Sequence, residues 1–238
     1  MDAMHTESSC EAAAPGLDYS TWIVIPLYNE ASVIAGVVSE LLGQFANVVC
    51  VDDGSTDGSA QAALDAGARV LTHPLNLGQG AALQTAISYA VAQPGCEHII
   101  TFDADGQHRI IDALHMLERA REEKLDIVFG SRFLDDRTNP GILKRIVLKT
   151  AVGVTNLTTG LKLTDAHNGL RVLSAEAASR INLQQDRMAH ATEIVLQLGR
   201  TRLPWGESPV EVLYTDYSKA KGQSLLNSIN ILFDLVVN

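Results

Sequence analysis

The stretch Ile99-Ile-Thr-Phe-Asp-Ala-Asp-Gly-Gln-His108 decides the fold predicted for this chain. Its apolar first half is typical of a buried parallel strand, which is covered on both faces until it leaves the sheet. Asp103 and Asp105 stand two positions apart, so an extended backbone directs both carboxylates to the same side. Two adjacent hard oxygen ligands suit Mg²⁺ or Mn²⁺ bound to a diphosphate, because phosphate oxygens and water complete the coordination shell. Taken alone, these residues also fit an ordinary polar turn after a strand.

Strands, polar loops and helices alternate on both sides of this stretch. The pattern predicts strands over residues 22–26, 48–51, 69–72, 99–102 and 126–130. It predicts helices over residues 31–42, 59–66 and 110–123, and another that ends at residue 92. Such alternation is typical of a Rossmann-like α/β fold, a mostly parallel sheet with helices on both faces. Ligands of these sheets bind outside the carboxyl ends of the strands, and the polar loops of this pattern follow those ends.

The pattern changes after residue 130. A basic, helix-like stretch is followed by a polar loop over residues 164–171, which enters a predicted strand over 170–174. Helices are also predicted over 190–198 and 224–237, and a strand over 210–213. Because no repeat or linker is visible, residues 21–238 are predicted to form a single domain after a flexible tail of residues 1–20.

Composition and charge limit the class of protein. At 238 residues, of which 46% are hydrophobic, the chain is long enough to bury a substantial core. Its formal net charge of −10 disfavours nucleic acid as a partner, since nucleic-acid-binding proteins usually carry a basic excess. The three cysteines are too widely spaced for a disulfide framework or a zinc site, which fits a reducing cytosol. The sequence predicts neither an export signal nor a membrane-spanning run.

Two polar loops could together form a nucleotide pocket. Residues 26–30 supply a tyrosine ring for a base, and Asp52 or Asp53 supplies a carboxylate for the base edge or the ribose hydroxyls. The alternative interpretation is a pair of helix starts capped by Asn29 and Ser59, since both residue types are common N-caps. Capping alone would not require two adjacent acids.

A third loop, residues 76–82, contains Gly78 and Gly80 before a predicted helix. Glycines at a helix N-terminus let the backbone approach a phosphate. The loop lacks the third glycine of the dinucleotide-binding pattern and the Gly-Lys-Ser/Thr of a P-loop. A tight turn at a helix start is therefore the simpler interpretation of these two glycines.

Five motifs in this order resemble family 2 glycosyltransferases of the GT-A fold. They are Pro-x-Tyr-Asn-Glu at 26–30, Asp-Asp-Gly-Ser-x-Asp at 52–57, Asn-x-Gly-x-Gly at 76–80, Asp-x-Asp-x-Gln at 103–107 and Gly-Ser-Arg at 130–132. The resemblance continues through residues 165–171 and 214–224 and is strongest toward the dolichyl- and polyprenyl-phosphate sugar synthases. It implies inverting transfer of a sugar from a UDP- or GDP-sugar to polyprenyl phosphate. The nucleotide-binding part would cover about residues 21–132, and the acceptor part about residues 133–238.

The same resemblance implies roles for individual residues. The nucleotide-sugar donor would be bound by Pro26, Tyr28, Glu30, Asp53 or its alternative Asp52, Gly80, Asp103 and Ala104. Mg²⁺ or Mn²⁺ would be bound by Asp103, Asp105 and Gln107. The acceptor phosphate would contact Arg132, Lys144, Arg145, Arg171 and Lys221, and the catalytic set would be Asp103, Asp105, Arg132, Asp165 and Glu193. One departure is Leu225, where the family often has lysine, so Lys219 or Lys221 is expected to substitute.

The nature of the acceptor stays open at this point. Displacing a nucleoside diphosphate needs positive charge on the leaving group, which a metal ion and an arginine supply. A lipid phosphate is already ionised and needs no general base. A sugar hydroxyl, as in cell-surface polysaccharide assembly, would need a carboxylate to take its proton, and Asp165 or Glu193 is the candidate.

Basic residues cluster in the otherwise acidic chain at Arg132, Arg137, Lys144, Arg145 and Lys149. They would usually be an ordinary solvated helix face. Their clustering instead predicts peripheral binding at the cytoplasmic face of a membrane, assisted by the C-terminal amphipathic segment. A small integral membrane protein is then a conceivable partner.

Three alternatives from other classes compete with this interpretation. A phosphoacceptor receiver domain would also have an acidic pocket, but its acid pair should end the first strand. A nucleotidyltransferase would share the fold class and the metal-binding acids, but it needs a glycine-rich loop with lysine after the first strand. A non-catalytic nucleotide-sugar sensor would keep the pocket and lose the acceptor side.

The histidines are predicted not to bind metal, although His108 is predicted to lie near the metal site. Trp22 and Trp205 are predicted to be packing residues.

Overall fold

A computed structural model describes residues 16–135, 161–185 and 189–213. The strands are β1 (Asp18–Leu27), β2 (Phe45–Asp52), β3 (Arg69–Thr72), β4 (His98–Thr101), β5 (Ile127–Ser131), β6 (Arg171–Ser174) and β7 (Trp205–Pro209). The helices are α1 (Ile34–Leu42), α2 (Ser59–Asp65), α3 (Gln79–Val91), α4 (Ile110–Glu122), α5 (Ala175–Ser179) and α6 (Ala189–Thr201).

The seven strands form one sheet in the order β3-β2-β1-β4-β6-β5-β7. Every pairing is parallel except those of β6, which runs antiparallel to both β4 and β5. In the central strand, Ile23 lies between Val48 of β2 and Ile100 of β4. The predicted α/β fold with a mostly parallel sheet is therefore confirmed. The antiparallel β6 brings the loop before it to the edge of the sheet at which β4 ends.

Helices cover both faces of the sheet, as predicted. On one face, α3, α5 and α6 pack around side chains such as Val24 and Ile99. On the other face, α1, α2 and α4 pack around their neighbours Ile23 and Ile100. Consecutive residues of one strand thus enter opposite cores, which explains why the central strands are apolar without alternation. Each fully buried side chain of this size contributes roughly 1.5–3 kcal/mol. Trp22 is buried in the first of these cores and the partly buried Trp205 packs against it, so both are packing residues as predicted.

Two predicted elements differ from the structure. β1 begins at Asp18, so residues 18–20 belong to the sheet and not to the tail; the Asp18 carboxylate accepts hydrogen bonds from the backbone of Ser20 and Thr21. The strand predicted over 210–213 is wrong, because β5 pairs instead with Trp205–Pro209. Residues 210–213 contribute a single bridge, between Val212 and His108.

Several sequence predictions lie outside the described residues. They concern Lys144, Arg145 and Lys149, the residues around Lys221, and the helix predicted over 224–237. Within residues 16–135, 161–185 and 189–213, no helix is both long enough and apolar enough to cross a membrane.

Candidate active site

A cleft of about 330 Å³ lies where β1, β2 and β4 end. Its described lining residues are Pro26, Leu27, Tyr28, Glu30, Asp53, Asn76, Gln79, Ala82, Asp103, Ala104 and Asp105. Seven of the residues predicted for donor or metal binding thus line one cleft. Ligands of open α/β sheets bind in the crevice outside the carboxyl ends of the strands, so a ligand is expected at this position.

The turn after β1 presents Tyr28 to the cleft. The backbone N–H of Asn29 donates to Ser55 Oγ (2.9 Å), and that of Glu30 donates to Ser59 Oγ (2.7 Å). These bonds tie the turn to the loop after β2 and leave the Tyr28 side chain 47% exposed. Neither Asn29 nor Ser59 is an N-cap, because the N-cap residues of α1 and α2 are Val33 and Gly58. An exposed ring on a fixed turn is suited to stacking on a nucleotide base.

Asp53 lines the cleft, but its carboxylate is engaged by the protein. It accepts hydrogen bonds from His73 Nδ1 (2.7 Å), the Leu77 backbone N–H (2.9 Å) and the Gly78 backbone N–H (2.7 Å). On its other side, His73 Nε2 lies 3.0 Å from Thr85 Oγ1. Asp53 therefore positions the loop before α3. That loop contributes Asn76 to the cleft, and the first residue of α3 contributes Gln79. Nothing in the sequence indicated that His73 would contact Asp53.

Three other residues predicted for donor or metal binding lie outside the described lining of the cleft. Asp52 is only 2% exposed, and its carboxylate accepts a hydrogen bond from the Ser55 backbone N–H (3.3 Å). Gly80 faces the chain at Gln185, whose carbonyl oxygen leaves no room for a Cβ atom. Gln107 is near the site through its backbone, whose N–H donates to Asp105 Oδ1 (3.0 Å). The close approach of the Gln185 carbonyl oxygen is sufficient to explain the glycine at position 80.

Asp103 and Asp105 have different electrostatic surroundings. Burial opposes the ionisation of Asp103, but a hydrogen bond from His108 Nε2 (2.8 Å) and the positive charge of Arg171 outweigh burial and lower its pKa. Burial, followed by the negative charge of Asp103, raises the pKa of Asp105. Gly169 packs directly against the Asp103 carboxylate. The Asp103 carboxylate is therefore held in its ionised form by its neighbours, whereas the ionised form of the adjacent Asp105 is disfavoured.

These two carboxylates fit a metal ion that is mainly bound by its substrate. In the described part of the chain, no three His, Cys, Asp or Glu side chains converge as a complete metal site. Two hard oxygen ligands on one cleft wall match Mg²⁺ or Mn²⁺, which use few protein ligands when phosphate oxygens are present. Asp103 and Asp105 are the residues that would hold such an ion.

Arg132, at the end of β5, forms a bidentate ion pair with Asp165. Arg132 Nε donates to Asp165 Oδ2 (2.6 Å), and Arg132 Nη2 donates to Oδ1 (2.8 Å). The His167 backbone N–H also donates to Oδ1 (3.2 Å). Burial opposes ionisation of Asp165, but the charge and hydrogen bonds of Arg132 prevail and lower its pKa. A carboxylate so fully hydrogen-bonded is a poor proton acceptor and a good anchor for the arginine.

Glu193 is engaged in a similar way on α6. Its carboxylate accepts hydrogen bonds from the backbone N–H groups of Gln184 (3.0 Å) and Gln185 (2.9 Å) and from Gln197 Nε2 (3.1 Å). It does not line the cleft described above. Glu193 therefore fixes the loop before α6.

Sequence reasoning missed Glu207 of β7, which organises the Asp165 loop. Glu207 Oε1 accepts hydrogen bonds from the backbone N–H groups of Thr164 (2.8 Å) and Asp165 (3.2 Å). Burial, and then the charge of Asp165, raise its pKa. Residues 205–209 were not predicted to be a strand, so no signal placed Glu207 beside this loop.

The fold and the cleft define a protein with a mostly parallel sheet and a polar cleft at the carboxyl ends of its strands. Residues 22–181 match the profile of glycosyl transferase family 2, and the chain belongs to that family. It is therefore a glycosyltransferase of the GT-A fold, as its motifs predicted. Family membership excludes the receiver-domain and nucleotidyltransferase alternatives.

Relatives of known sequence and structure agree with this assignment. An uncharacterized protein of Methanocaldococcus jannaschii is 35% identical over 221 residues, which cover 91% of this chain and 90% of that protein. The UDP-N-acetylglucosamine–dolichyl-phosphate N-acetylglucosaminyltransferase of Methanococcus voltae is 28% identical over 246 residues, covering 92% and 96%. The crystal structure of glucosyl-3-phosphoglycerate synthase from Mycobacterium tuberculosis, in complex with Mn²⁺ and UDP-glucose, has the same fold. Its TM-score is 0.64 at 16% identity, covering 91% of this chain and 79% of that one.

Proposed function

We propose that this glycosyltransferase moves a sugar from a UDP- or GDP-sugar to polyprenyl phosphate, with inversion at the anomeric carbon and with the help of Mg²⁺ or Mn²⁺. The observation that carries the proposal is one cleft that combines the exposed ring of Tyr28 with the carboxylates of Asp103 and Asp105. A ring that can stack on a base and two ligands for a diphosphate-bound metal match the parts of a nucleotide sugar.

The donor side follows from these residues. Tyr28 stacks on the base, and the loop held by Asp53 brings Asn76 and Gln79 to the cleft. Asp103 and Asp105 would hold the metal ion, with Gln107 as the third ligand. When bound, the metal neutralises the charge that develops on the leaving nucleoside diphosphate. A relative of the same fold that crystallised with Mn²⁺ and UDP-glucose supports this choice of metal and donor.

The state of the two candidate bases supports a phosphate acceptor. Asp165 is paired with Arg132, and Glu193 is hydrogen-bonded to the loop before α6. Neither carboxylate is arranged to take a proton from a sugar hydroxyl. An ionised phosphate needs no such base, because its oxygen is already a nucleophile. The relative that acts on dolichyl phosphate supports the same acceptor class.

Arg132 is the described residue best placed to meet the acceptor phosphate. Its pairing with Asp165 fixes the guanidinium at the carboxyl end of β5, and that pairing makes Asp165 a positioning residue. Lys144, Arg145 and Lys221 would complete the phosphate site from the part of the chain that the structure leaves undescribed. Arg171 is buried beside Asp103 and has a different environment.

A lipid acceptor implies a membrane surface. Peripheral binding at the cytoplasmic face, through the basic residues 132–149, would bring the cleft to the lipid phosphate. The relatives and the described residues give no support for a small integral membrane protein partner, and it is not part of the proposal.

The test is a transfer assay with the full chain, Mn²⁺ and undecaprenyl phosphate in detergent. Radiolabelled UDP-sugars and GDP-sugars are supplied separately. We expect label in a lipid product from which mild acid releases the free sugar. In the intact lipid product, the anomeric configuration of the sugar should be opposite to that of the donor. Asp103→Asn should remove most of this transfer, because it deletes a metal ligand.

Undecaprenol, which lacks the phosphate, is the matched control acceptor and should take up no label. Transfer to a lipid-linked saccharide, with none to undecaprenyl phosphate, would contradict the proposed acceptor and indicate a hydroxyl acceptor. Retention of the donor's anomeric configuration would contradict the inverting mechanism.

A further inference from the structure

A small second cavity adjoins the cleft. It has a volume of about 130 Å³ and shares Pro26, Gln79 and Asp103 with the cleft, but it lacks Tyr28 and Asp53. Its other polar lining residues are Thr101, His167, Arg171 and His190. The cavity thus lies on the Asp103 side of the cleft, away from the residues assigned to the base. It is several times larger than the space of about 10–15 Å³ that one water molecule needs.

The topology of the sheet creates this cavity. β6 pairs antiparallel with β4, and Arg171 at its start lies opposite Thr101 at the end of β4. Thr101 Oγ1 donates to the Gly169 carbonyl (2.5 Å), which fixes the preceding loop against Asp103. The loop that contains His167 is therefore held beside the metal-binding carboxylate by strand pairing.

Two cavity residues have buried polar atoms that lack partners. Within residues 16–135, 161–185 and 189–213, neither ring nitrogen of His167 has a hydrogen-bond partner, and neither has Arg171 Nε. Arg171 is only 3% exposed. Burying an unpaired polar atom is unfavourable, so native proteins nearly always satisfy such atoms. These atoms are suited to a ligand that brings its own hydrogen-bonding groups.

The chemistry of His167 indicates what kind of group that ligand carries. Burial lowers the pKa of His167 to about 4. The negative charge of Asp165 opposes this shift, and the positive charges of Arg132 and Arg171 add to it. A neutral imidazole has one donor and one acceptor nitrogen. A hydroxyl group can satisfy both, whereas a carboxylate or phosphate can only accept. Asp103 and Arg171 line the same cavity with opposite charges, which offset each other, so the hydrogen-bonding of the neutral His167 is what favours hydroxyl groups.

We propose that this cavity binds the sugar being transferred, and that His167 and Arg171 select an uncharged sugar by hydrogen bonds to its ring hydroxyls. This inference rests on the proposed function, because it takes the donor to be a nucleotide sugar. The order of the residues matches the order of the donor's parts. Tyr28 meets the base, Asp103 and Asp105 meet the diphosphate, and His167 and Arg171 meet the sugar beyond it.

The test compares binding of a nucleoside diphosphate with binding of its sugar conjugate. Calorimetric titrations with Mn²⁺ use UDP, UDP-glucose, UDP-N-acetylglucosamine and UDP-glucuronate, and the corresponding GDP compounds if UDP does not bind. In the unmodified chain, we expect an uncharged conjugate to bind at least tenfold more tightly than the glucuronate. His167→Ala should weaken the preferred conjugate about tenfold and leave UDP affinity unchanged. His115→Ala, in an exposed histidine of α4, is the matched control and should alter neither.

The outcomes separate this inference from the proposed function. If UDP and GDP, free or as sugar conjugates, all fail to bind the unmodified chain, the proposed function is wrong. If they bind, but His167→Ala binds the conjugate as tightly as the unmodified chain does, the sugar cavity is wrong. Should His167→Ala not fold, deoxy analogues of the preferred conjugate are titrated against the unmodified chain. Equal affinity for every analogue would overturn the inference, and a tenfold loss with any one of them would support it.

Discussion

At the scale of single residues, this site depends on how neighbouring charges are held. Asp103 receives a hydrogen bond from His108 and lies near the positive charge of Arg171, whereas Asp105 lies beside the negative charge of Asp103. Two like charges on one wall repel each other unless a cation lies between them. This is the chemical reason to expect a metal ion at these two residues.

Replacing Asp105 by asparagine should therefore impair transfer. Asp105→Asn keeps the side-chain shape but removes one of two anionic ligands, so we expect kcat to fall roughly 10²–10³-fold, the usual cost of losing a stabilising group of this kind. The initial rate of transfer is measured across a Mn²⁺ titration. Asp65→Asn, in the exposed last residue of α2, is the control and should behave as the unmodified chain. An Asp105→Asn enzyme with an unchanged rate and Mn²⁺ dependence would contradict the metal assignment.

The lowered pKa of His167 predicts a pH effect on stability. Its pKa of about 4 in the folded chain lies below the unfolded value of 6.5, so the unfolded state binds more protons between these pH values. The free energy of unfolding should thus fall as the pH falls through this window, by about 2 kcal/mol at pH 5. Denaturant unfolding at pH 7.5 and pH 5 measures the effect.

His167→Gln should lose less stability than the unmodified chain between pH 7.5 and pH 5, because glutamine does not titrate. His115→Gln, in an exposed residue, should keep the full pH dependence. Identical pH dependence in the His167→Gln variant and the unmodified chain would show that His167 is not buried as a neutral group.

At the scale of elements, the start of α3 is packed between the Asp53 carboxylate and the chain at Gln185 and His190. Gly78, with a φ of +97°, allows the turn before the helix, and the Asp53 carboxylate accepts its N–H. One residue inside the helix, Gly80 lies against the Gln185 carbonyl and the His190 side chain. The helix start therefore requires glycine for two different reasons, one conformational and one steric.

Gly80→Ala should destabilise the chain, because the added methyl group would overlap the carbonyl oxygen of Gln185. Overpacking of this kind costs about 1–3 kcal/mol. Gly36→Ala is the matched control, since that glycine lies in α1 with open space around it and alanine favours a helix by up to about 1 kcal/mol. Thermal unfolding of the two variants should show a lower midpoint for the first and an equal or higher midpoint for the second. A Gly80→Ala variant as stable as Gly36→Ala would contradict the close approach of the Gln185 carbonyl oxygen.

At the scale of the whole molecule, the cleft, the second cavity and Arg132 all lie at one edge of the sheet. β1, β4 and β5 end there, and β6 begins there. A parallel sheet concentrates its binding residues at this edge, so a single surface must meet both donor and acceptor. If the acceptor is a lipid, the same edge must face the membrane.

Vesicle flotation tests this orientation. Anionic vesicles with undecaprenyl phosphate should carry the full chain upward, and Lys144→Gln with Arg145→Gln should reduce the partition coefficient roughly 30-fold, at about 1 kcal/mol for each basic residue. Lys124→Gln with Arg200→Gln is the control, because both residues are exposed and lie at or near the C-terminal ends of α4 and α6. Protein that stays in the bottom fraction, or equal flotation of the two double variants, would contradict the prediction.

Much of the fold could be predicted from local sequence because its signals are local. The apolar runs before Pro26, Asp52 and Asp103 mark buried strands, and helical periodicity located α1, α4 and α6 to within a few residues. Strand β7 was missed because Trp205-Gly-Glu-Ser-Pro209 shows neither apolar continuity nor alternation, so its pairing with β5 depends on tertiary contacts. The apolar residues at 210–213 gave the opposite, misleading signal.

The sequence by itself determined the class of protein, the fold, and seven of the residues that share a cleft, because motifs at strand ends must converge in a parallel sheet. Only the tertiary structure decided what each side chain contacts. It pairs Asp165 with Arg132, uses Asp53 to hold a loop, and places His167 and Arg171 beside Asp103. These contacts join residues far apart in the chain, and their strength depends on burial and on neighbouring charges. Neither quantity can be read from the order of the residues alone.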